Sequence, residues 1–260
     1  VADYSAATLL RTIKKYKVTH VFAVPILWQS IEKRVVSEVR YRGEKTEKKF
    51  YKGLALSEKI QNILPGAGQS IARHIMKQVT SELFGYSPVF LISGGGYIKD
   101  SALYMFNAMG YPLHNGYGMS ETGITSVELR GTIKDRLENS IGRPFEGVRY
   151  ETDSDNILII NSASMCRRMI RNGEEISVGE TYNSGDIVKQ DAAGNYYILG
   201  RSGDRIIGES GENVNPDEIE KDLELPLARE FCVFGEGEGS DEEIALVIQM
   251  RSFCGIRYVF

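Results

Sequence analysis

Residues 116–123 have the sequence GYGMSETG and place several chemically useful groups within eight positions. Tyr117 offers a ring face on which a purine could stack. Ser120 offers a hydroxyl for a phosphate oxygen, and Glu121 offers a hard oxygen ligand of the kind that magnesium shares with substrate phosphates. Taken singly, an aromatic residue is more often part of the core and a glutamate more often a solvated carboxylate. The stretch therefore indicates a binding loop only together with other signals.

A second glycine turn, SGGG at residues 93–96, follows the apolar run SPVFLIS. Consecutive glycines bring backbone N–H groups close to a flat or anionic ligand, although glycine triplets are more often plain turns. The local order is strand, glycine turn, helix, strand and glycine turn. Ligands of open α/β sheets bind at the carboxyl ends of strands, so both glycine turns are at candidate binding positions.

A hairpin is predicted for DIVKQ (186–190), the turn DAAG (191–194) and NYYILG (195–200). If Gln190 faces Asn195, Asp186 and Arg201 emerge at the same end of the hairpin, although a slip of one residue would separate them. A carboxylate there can accept two hydrogen bonds from a ribose diol. The alternatives are an aspartate that caps a turn and an arginine that simply pairs with it.

The elements around these motifs alternate between helix and strand over the first half of the chain. Helical spacing over 6–16 and 26–39 flanks a strand at 17–25, which is typical of an α/β protein. The charge-mixed segment 37–53 is expected to be a solvated helix end with a loop rather than an electropositive surface for an anionic partner. From about residue 125, short alternating runs predict antiparallel strands.

Composition excludes several classes of function. The 260 residues are 42% hydrophobic and 25% charged, as in an ordinary soluble globular protein. A net charge of −4 gives no electrostatic case for nucleic acid. The three cysteines and three histidines lack metal-ligand spacing. With no visible signal peptide and no apolar run near the ~20 residues that a membrane span needs, a cytoplasmic location is expected.

Five motifs, in order, resemble the AMP-forming adenylate synthetases, which include acyl-CoA ligases, luciferases and peptide-synthetase adenylation domains. The resemblance runs from about residue 6 to 250 and rests on SGGGYIKDSAL, NGYGMSETG, IGRPFEGV, YNSGDIV and GRSGDRIIGESGENVNPDEIE. The segment VTHVFAVP is similar to the one that precedes the family's substrate pocket. SGENVNPDEIE is most similar to fatty-acyl or aryl CoA ligases.

The resemblance implies an α/β fold that forms part of the family's large domain, with a sheet flanked by helices and a distorted antiparallel β-barrel. The large domain is expected over 1–202, divided into an α/β region to about 124 and a β-rich region over about 125–202. A hinge and an incomplete small α+β domain are expected over 203–260.

The resemblance also implies a reaction. A carboxylic acid, expected to be a fatty acid, attacks ATP to give an acyl-adenylate, and coenzyme A then displaces AMP. Magnesium is the implied metal, with Glu121 helping to hold it, and Ser120 contacts the α-phosphate. Asp186 binds the ribose hydroxyls and Arg201 lies beside it at the nucleotide. The residues implied to line the adenine slot are Gly94, Gly95, Asn115, Gly116 and Tyr117.

This sequence also departs from the family. It lacks the upstream phosphate loop that ends in lysine and the catalytic lysine near the end of the small domain, so it is expected to be a piece of a longer enzyme with little activity alone. Gly203 stands at the hinge position, where the family has an acidic residue or a lysine. Two alternatives remain open: a truncated, non-catalytic nucleotide-binding or regulatory module, and an adenylation enzyme whose acceptor is a carrier protein.

Overall fold

A computed structural model describes residues 6–207, 213–223, 225, 228–238, 241–250 and 256–259. Residues 208–212 of the motif GRSGDRIIGESGENVNPDEIE lie outside the described residues. The chain divides into two compact units. The first comprises residues up to 148 with 162–178 and 191–196, and the second comprises 149–161, 179–190 and the chain from 197 onward.

The helices in the described part of the chain are α1 (Ala6–Tyr16), α2 (Pro25–Tyr41), α3 (Glu44–Ile63), α4 (Gly68–Ile75), α5 (Lys77–Glu82), α6 (Asp100–Ala108), α7 (Ile133–Leu137) and α8 (Pro216–Asp222). The strands are β1 (His20–Ala23), β2 (Phe90–Ser93), β3 (Leu113–Met119), β4 (Gly123–Val127), β5 (Arg143–Pro144), β6 (Val148–Thr152), β7 (Ile157–Ser162), β8 (Arg168–Arg171), β9 (Glu174–Ser177), β10 (Tyr182–Gln190), β11 (Tyr196–Arg201), β12 (Ile206–Ile207), β13 (Asn213–Val214), β14 (Ala228–Glu238), β15 (Asp241–Met250) and β16 (Ile256–Val259).

A five-stranded sheet in the order β1-β2-β3-β4-β5 forms the frame of the first unit. Strands β1, β2 and β3 are parallel, whereas β4 and β5 run antiparallel to their neighbours. Ser93 pairs in register with Asn115. The sheet therefore brings the carboxyl end of β2 beside the middle of β3, as the alternation of helices and strands predicts.

An aromatic cluster fills the core between the helices of this unit. Trp28 is fully buried and packs edge-on against Phe106, with ring centroids 5.4 Å apart, and against Phe84 at 6.3 Å. The indole N–H donates to the carbonyl of Ala23, 3.2 Å away. Tyr111 packs on Phe84 and its hydroxyl donates to the carbonyl of Gly85 at 2.7 Å, so both polar aromatic groups are satisfied in the core.

The segment 37–53 is more helical than expected. Helix α2 continues to Tyr41, and after a break at Gly43, whose φ is +97°, helix α3 begins at Glu44. The expected loop is therefore wrong, because α3 buries Phe50, Leu54, Ser57 and Gln61 at helical spacing. The surrounding lysines and glutamates cover its solvent face and obscure this stripe in the sequence.

The second unit is rich in β-structure. It contains a sheet in the order β11-β10-β7-β6, the ribbon β12-β13 and the sheet β14-β15-β16. Helix α8 begins after Asn215, whose side chain accepts a hydrogen bond from the Asp217 N–H at 3.1 Å, the N-cap bond that asparagine commonly forms.

These elements confirm the α/β fold, whereas the division of the large domain near residue 125 stays a prediction. The domain boundary at residue 202 stays a prediction. None of the helices that the structure describes is long and apolar enough to cross a bilayer.

Candidate functional site

The first glycine turn lies where β2 ends, in the first unit. The Gly94 N–H donates to the carbonyl of Ala23 at 3.2 Å, and Gly95 has a φ of +84°. A Cβ at Gly94 would lie 3.1 Å from the Phe22 ring and 3.2 Å from the carbonyl oxygen of Gly116. Gly94 therefore lies close to Gly116 of the second glycine motif, and a larger residue at position 94 would push the two segments apart.

The second glycine motif is a hairpin rather than a loop. Strand β3 continues to Met119 and β4 starts at Gly123, so three residues form the turn, which the Thr122 N–H closes by donating to the Met119 carbonyl at 3.2 Å. A Cβ at Gly118 would lie 2.3 Å from the carbonyl oxygen of Gly123. Glycine spacing in GYGMSETG therefore also reflects close strand pairing, which the interpretation as a loop overlooked.

The turn of this hairpin carries the predicted hydroxyl and carboxylate. Ser120 is exposed, and Glu121 and Tyr117 are half-buried. The Cys166 N–H donates to the Glu121 carbonyl at 2.8 Å, and the Ser164 hydroxyl donates to the Thr122 carbonyl at 2.6 Å. These bonds hold the turn backbone and leave the Ser120 side chain accessible to solvent.

Asn115 is held by a second asparagine that the sequence reasoning missed. Its Nδ2 donates to the Asn139 side-chain oxygen at 2.9 Å and to the Asn139 carbonyl at 3.4 Å. The Asn139 Nδ2 donates to the Ile98 carbonyl at 3.0 Å and to Asp100 Oδ1 at 2.8 Å. Asn139 has a φ of +56°, a conformation that asparagine adopts more readily than other non-glycine residues. This preference is the one signal in the sequence that could have indicated it.

His114 lies directly before Asn115 in β3 and is nearly buried. Its Nδ1 is 2.6 Å from the Glu128 carbonyl oxygen. Because a carbonyl only accepts, Nδ1 carries the proton. The ring packs on Phe90 with centroids 4.4 Å apart. Burial lowers the pKa of His114 to about 4, so the imidazole beside the glycine motif is neutral at physiological pH.

A charged cluster fixes the chain that follows β4. The Glu128 N–H donates to the Asn115 carbonyl at 2.8 Å, and the Glu128 carboxylate, 1% exposed, accepts from Arg130 Nη2 at 2.7 Å. Arg130 also pairs with Glu138 at 2.9 Å and Asp135 at 3.4 Å. The hydrogen bond to Glu128 raises the pKa of Arg130 despite the opposing effect of burial. One guanidinium thus pairs with three carboxylates beside the site.

A metal would have few protein ligands here. The described residues contain no group of three His, Cys, Asp or Glu side chains that could hold a metal ion. The single carboxylate of Glu121 still fits magnesium, because this ion keeps several waters and is commonly shared between one or two carboxylates and substrate phosphates.

Asp186 and Arg201 meet in the second unit. Arg201 Nε donates to Asp186 Oδ1 at 2.9 Å, and its Nη2 donates to the Ser184 carbonyl at 3.2 Å. Asp186 is nearly buried, whereas more than half of the Arg201 side chain is exposed. This confirms the predicted placement at one end of the hairpin, although the turn closes through the Asp191 N–H and the Asn195 carbonyl, 3.0 Å apart, rather than through the predicted Gln190.

The residue at the predicted hinge lies just beyond this pair. Gly203 is the middle residue of a 3₁₀ turn, Ser202–Asp204. A Cβ at Gly203 would meet no atom within 4 Å among the described residues. The local backbone therefore does not itself require glycine, and a side chain could be accommodated.

Comparison with known proteins gives a consistent picture. The AMP-binding enzyme family matches residues 1–155. The chain is 26% identical over 182 residues to 2-succinylbenzoate–CoA ligase of Lactococcus lactis, covering 68% of this chain and 40% of that protein. It is 22% identical over 249 residues to long-chain-fatty-acid–CoA ligase 3 of Saccharomyces cerevisiae, covering 90% and 35%.

A solved structure shares the fold. O-succinylbenzoate coenzyme A synthetase of Bacillus subtilis superposes with a TM-score of 0.63 at 17% identity, covering 96% of this chain and 46% of that one. The chain thus spans less than half the length of these similar proteins. Since the family match extends over more than half of the sequence, the chain belongs to the AMP-binding enzyme family.

Proposed function

We propose that this chain is the nucleotide-binding part of an ATP-dependent acyl-CoA synthetase. The observation that carries the proposal is the close approach of Gly94, at the first glycine turn, to Gly116 in strand β3, where a Cβ at Gly94 would lie 3.2 Å from the Gly116 carbonyl oxygen. Gly94 directly follows β2, and Asn115 and Tyr117 lie two residues apart on the adjacent strand β3. Such an edge suits a flat heteroaromatic base that needs both close backbone approach and hydrogen bonds.

Each residue of the site has a role in this proposal. Ser120 contacts the α-phosphate and Glu121 helps to hold magnesium, whose charge would offset that of the phosphates when bound. Asp186 accepts hydrogen bonds from the ribose diol, and Arg201 lies beside it. The adenine slot is formed by Gly94, Gly95, Asn115, Gly116 and Tyr117. The Bacillus subtilis neighbour was solved with ATP and magnesium ion, which supports ATP and magnesium as the ligands in this proposal.

The reaction has two steps. The carboxylate of the acid attacks the α-phosphorus of ATP, forming the acyl-adenylate and releasing pyrophosphate. The coenzyme A thiolate then attacks the acyl carbon and AMP leaves, giving the thioester. Both steps depend on alignment and on neutralising charge rather than on a protein nucleophile, and a turn whose backbone is fixed by hydrogen bonds supplies such alignment.

The acid is proposed to be a fatty acid. Phe22, 55% exposed, lies against Gly94, and Val24, 49% exposed, lies 3.8 Å from a Cβ built on Gly95. These apolar side chains border the first glycine turn, where an acyl chain could bury them. Relatives include a long-chain-fatty-acid–CoA ligase, and coenzyme A is the proposed acceptor. A cytoplasmic location is part of the same proposal.

Calorimetric titration of the chain with octanoyl-sulfamoyl-adenosine, with and without magnesium, tests the proposal. Saturable binding is expected, because the chain contains the proposed base and ribose contacts and Ser120, the proposed contact at the α-phosphate position that the sulfamoyl group occupies. Asp186→Asn should weaken binding by about tenfold or more, since hydrogen bonds to a charged group contribute about 1.5–3 kcal/mol. Asp155→Asn, at an exposed aspartate of the same unit, is the matched control.

Two results would contradict the proposal. One is the absence of saturable binding by the folded chain. The other is equal affinity of the Asp186→Asn variant and the wild type. If the analogue binds but the longer protein forms no acyl-CoA from acid, ATP and coenzyme A, the chain is a nucleotide-binding module or uses another acceptor.

A further inference from the structure

Asn139 is the residue that determines how the Asn115 amide is oriented. Its backbone adopts a left-handed conformation, with φ of +56°, beside the strand that carries Asn115. Neither its position in the sequence nor the resemblance assigns it a role. Its hydrogen bonds, however, define which end of the Asn115 amide is the donor and which is the acceptor.

The direction of the network follows from its fixed acceptors. Asn139 Nδ2 lies 3.0 Å from the Ile98 carbonyl and 2.8 Å from Asp100 Oδ1. A carbonyl and an ionised carboxylate only accept hydrogen bonds. The Tyr97 hydroxyl also donates to Asp100 Oδ1, at 3.3 Å. The end of the Asn139 amide near Asp100 is therefore the NH₂ group, and its oxygen faces Asn115.

The orientation of the Asn115 amide is fixed by its acceptors in the same way. The amide faces two acceptors, the Asn139 side-chain oxygen at 2.9 Å and the Asn139 carbonyl at 3.4 Å. Only an NH₂ group satisfies both, so the orientation is determined by the network rather than by a choice between two equivalent amide positions. The Asn115 oxygen consequently lies on the side of the amide away from Asn139. Its backbone carbonyl is also held, by the Glu128 N–H at 2.8 Å.

We propose that Asn139 is a positioning residue that makes the site selective for 6-aminopurines over 6-oxopurines. This inference rests on the proposed function, in which Asn115 borders the nucleobase. A fixed Asn115 amide oxygen accepts a hydrogen bond from the exocyclic amine of a 6-aminopurine. It repels the carbonyl oxygen that a 6-oxopurine carries at the same position, because both atoms are acceptors. Rotation of the amide, which would admit a 6-oxopurine, would leave its oxygen facing two acceptors in Asn139.

The first test compares two ligands on the unmodified chain. Octanoyl-sulfamoyl-adenosine should bind at least about tenfold more tightly than octanoyl-sulfamoyl-inosine. The inosine analogue loses the hydrogen bond from the exocyclic amine and places its own carbonyl oxygen against the Asn115 side-chain oxygen, so that two acceptors face each other. Equal affinity for the two ligands would overturn the assignment of the Asn115 oxygen. This comparison needs no variant and so does not depend on whether a substitution is tolerated.

The second test removes the amide of Asn139. Asn139→Gly retains access to positive φ but releases Asn115, so the preference for the adenosine ligand should fall to within about twofold, mainly through weaker adenosine binding. Asn172→Gly is the matched control, because Asn172 is exposed and also has a positive φ, of 54°; it should retain the wild-type preference.

The outcomes separate the two proposals. If the folded wild type binds neither ligand, the proposed function and this inference both fail. If the wild type prefers adenosine and Asn139→Gly retains that preference, the inference fails while the proposed function stands.

Discussion

His114 makes the stability of the first unit dependent on pH. Its imidazole is buried beside the glycine motif, with the Nδ1 proton bonded to the Glu128 carbonyl. Desolvation is the largest cause of the lowered pKa, and the nearby Arg136 guanidinium adds to it, while the Glu128 carbonyl and carboxylate oppose it. The imidazole is therefore neutral in the folded protein and binds a proton more readily in the unfolded chain.

The sign and size of the effect follow from the two pKa values. The pKa of His114 is about 4 in the folded protein against 6.5 for an accessible histidine. Between these values the unfolded chain binds more protons, so the free energy of unfolding falls as pH falls. Lowering the pH from 8 to 5 should remove about 2 kcal/mol, and the full loss below pH 4 approaches about 3 kcal/mol. Above pH 7 this contribution is constant.

Urea unfolding of the wild type and of His114→Gln, measured between pH 8 and 5, isolates this contribution. Glutamine keeps an N–H donor for the Glu128 carbonyl but does not titrate, so the difference in stability between the two proteins should change by about 2 kcal/mol over this range. The stability of His74→Gln, a substitution at an exposed histidine, should change with pH in the same way as that of the wild type. A pH-independent difference for His114→Gln, or an NMR titration of His114 with a pKa near 6.5, would refute the reasoning.

Three further substitutions test local packing by thermal or urea unfolding. Gly142→Ala should lower the free energy of unfolding by more than about 2 kcal/mol, because φ is +77° and the new Cβ would lie 2.4 Å from the Val127 carbonyl oxygen. Gly147→Ala, at a similar φ but in open space, should lower it by less. Equal losses for the two variants would contradict this prediction. Arg130→Met should lower the free energy of unfolding by about 3–5 kcal/mol, because it removes the ion-pair partner of the buried Glu128 carboxylate. Arg168→Met, which breaks an exposed ion pair, should lower it by under about 1 kcal/mol. Thr132→Ala removes the cap of α7 and should cost about 1 kcal/mol; no loss would show that the capping box contributes little.

The part of the site that depends on local geometry could be predicted from the sequence. The hairpin that joins Asp186 to Arg201 needs only a turn and two alternating strands, and the arginine and aspartate do form an ion pair at 2.9 Å. The glycine turn at the end of β2 follows in the same way from strand order, whereas the pairing of β3 with β4 that GYGMSETG forms was not predicted. The roles of these residues in binding remain predictions.

The features that the sequence did not reveal depend on contacts between distant segments. Asn139 contacts Asn115, Ile98 and Asp100, which are 24 to 41 positions away, and no period or motif in the sequence relates them. The pKa of His114 likewise arises from burial by other strands and helices. The helix α3 was missed for a different reason, because charged residues on its solvent face hid a narrow buried stripe.

The mixed direction of the five-stranded sheet has a consequence for the order of folding. Strands β3 and β4 are joined by a tight turn, whereas β1 and β2 pair His20 with Phe90 across the intervening helices. Local hairpins form in about 1–10 μs, while long-range parallel pairing must first overcome the entropy of closing a long loop. We expect the hairpin with the proposed phosphate contact to form early, and the parallel strand with the first glycine turn to join it late.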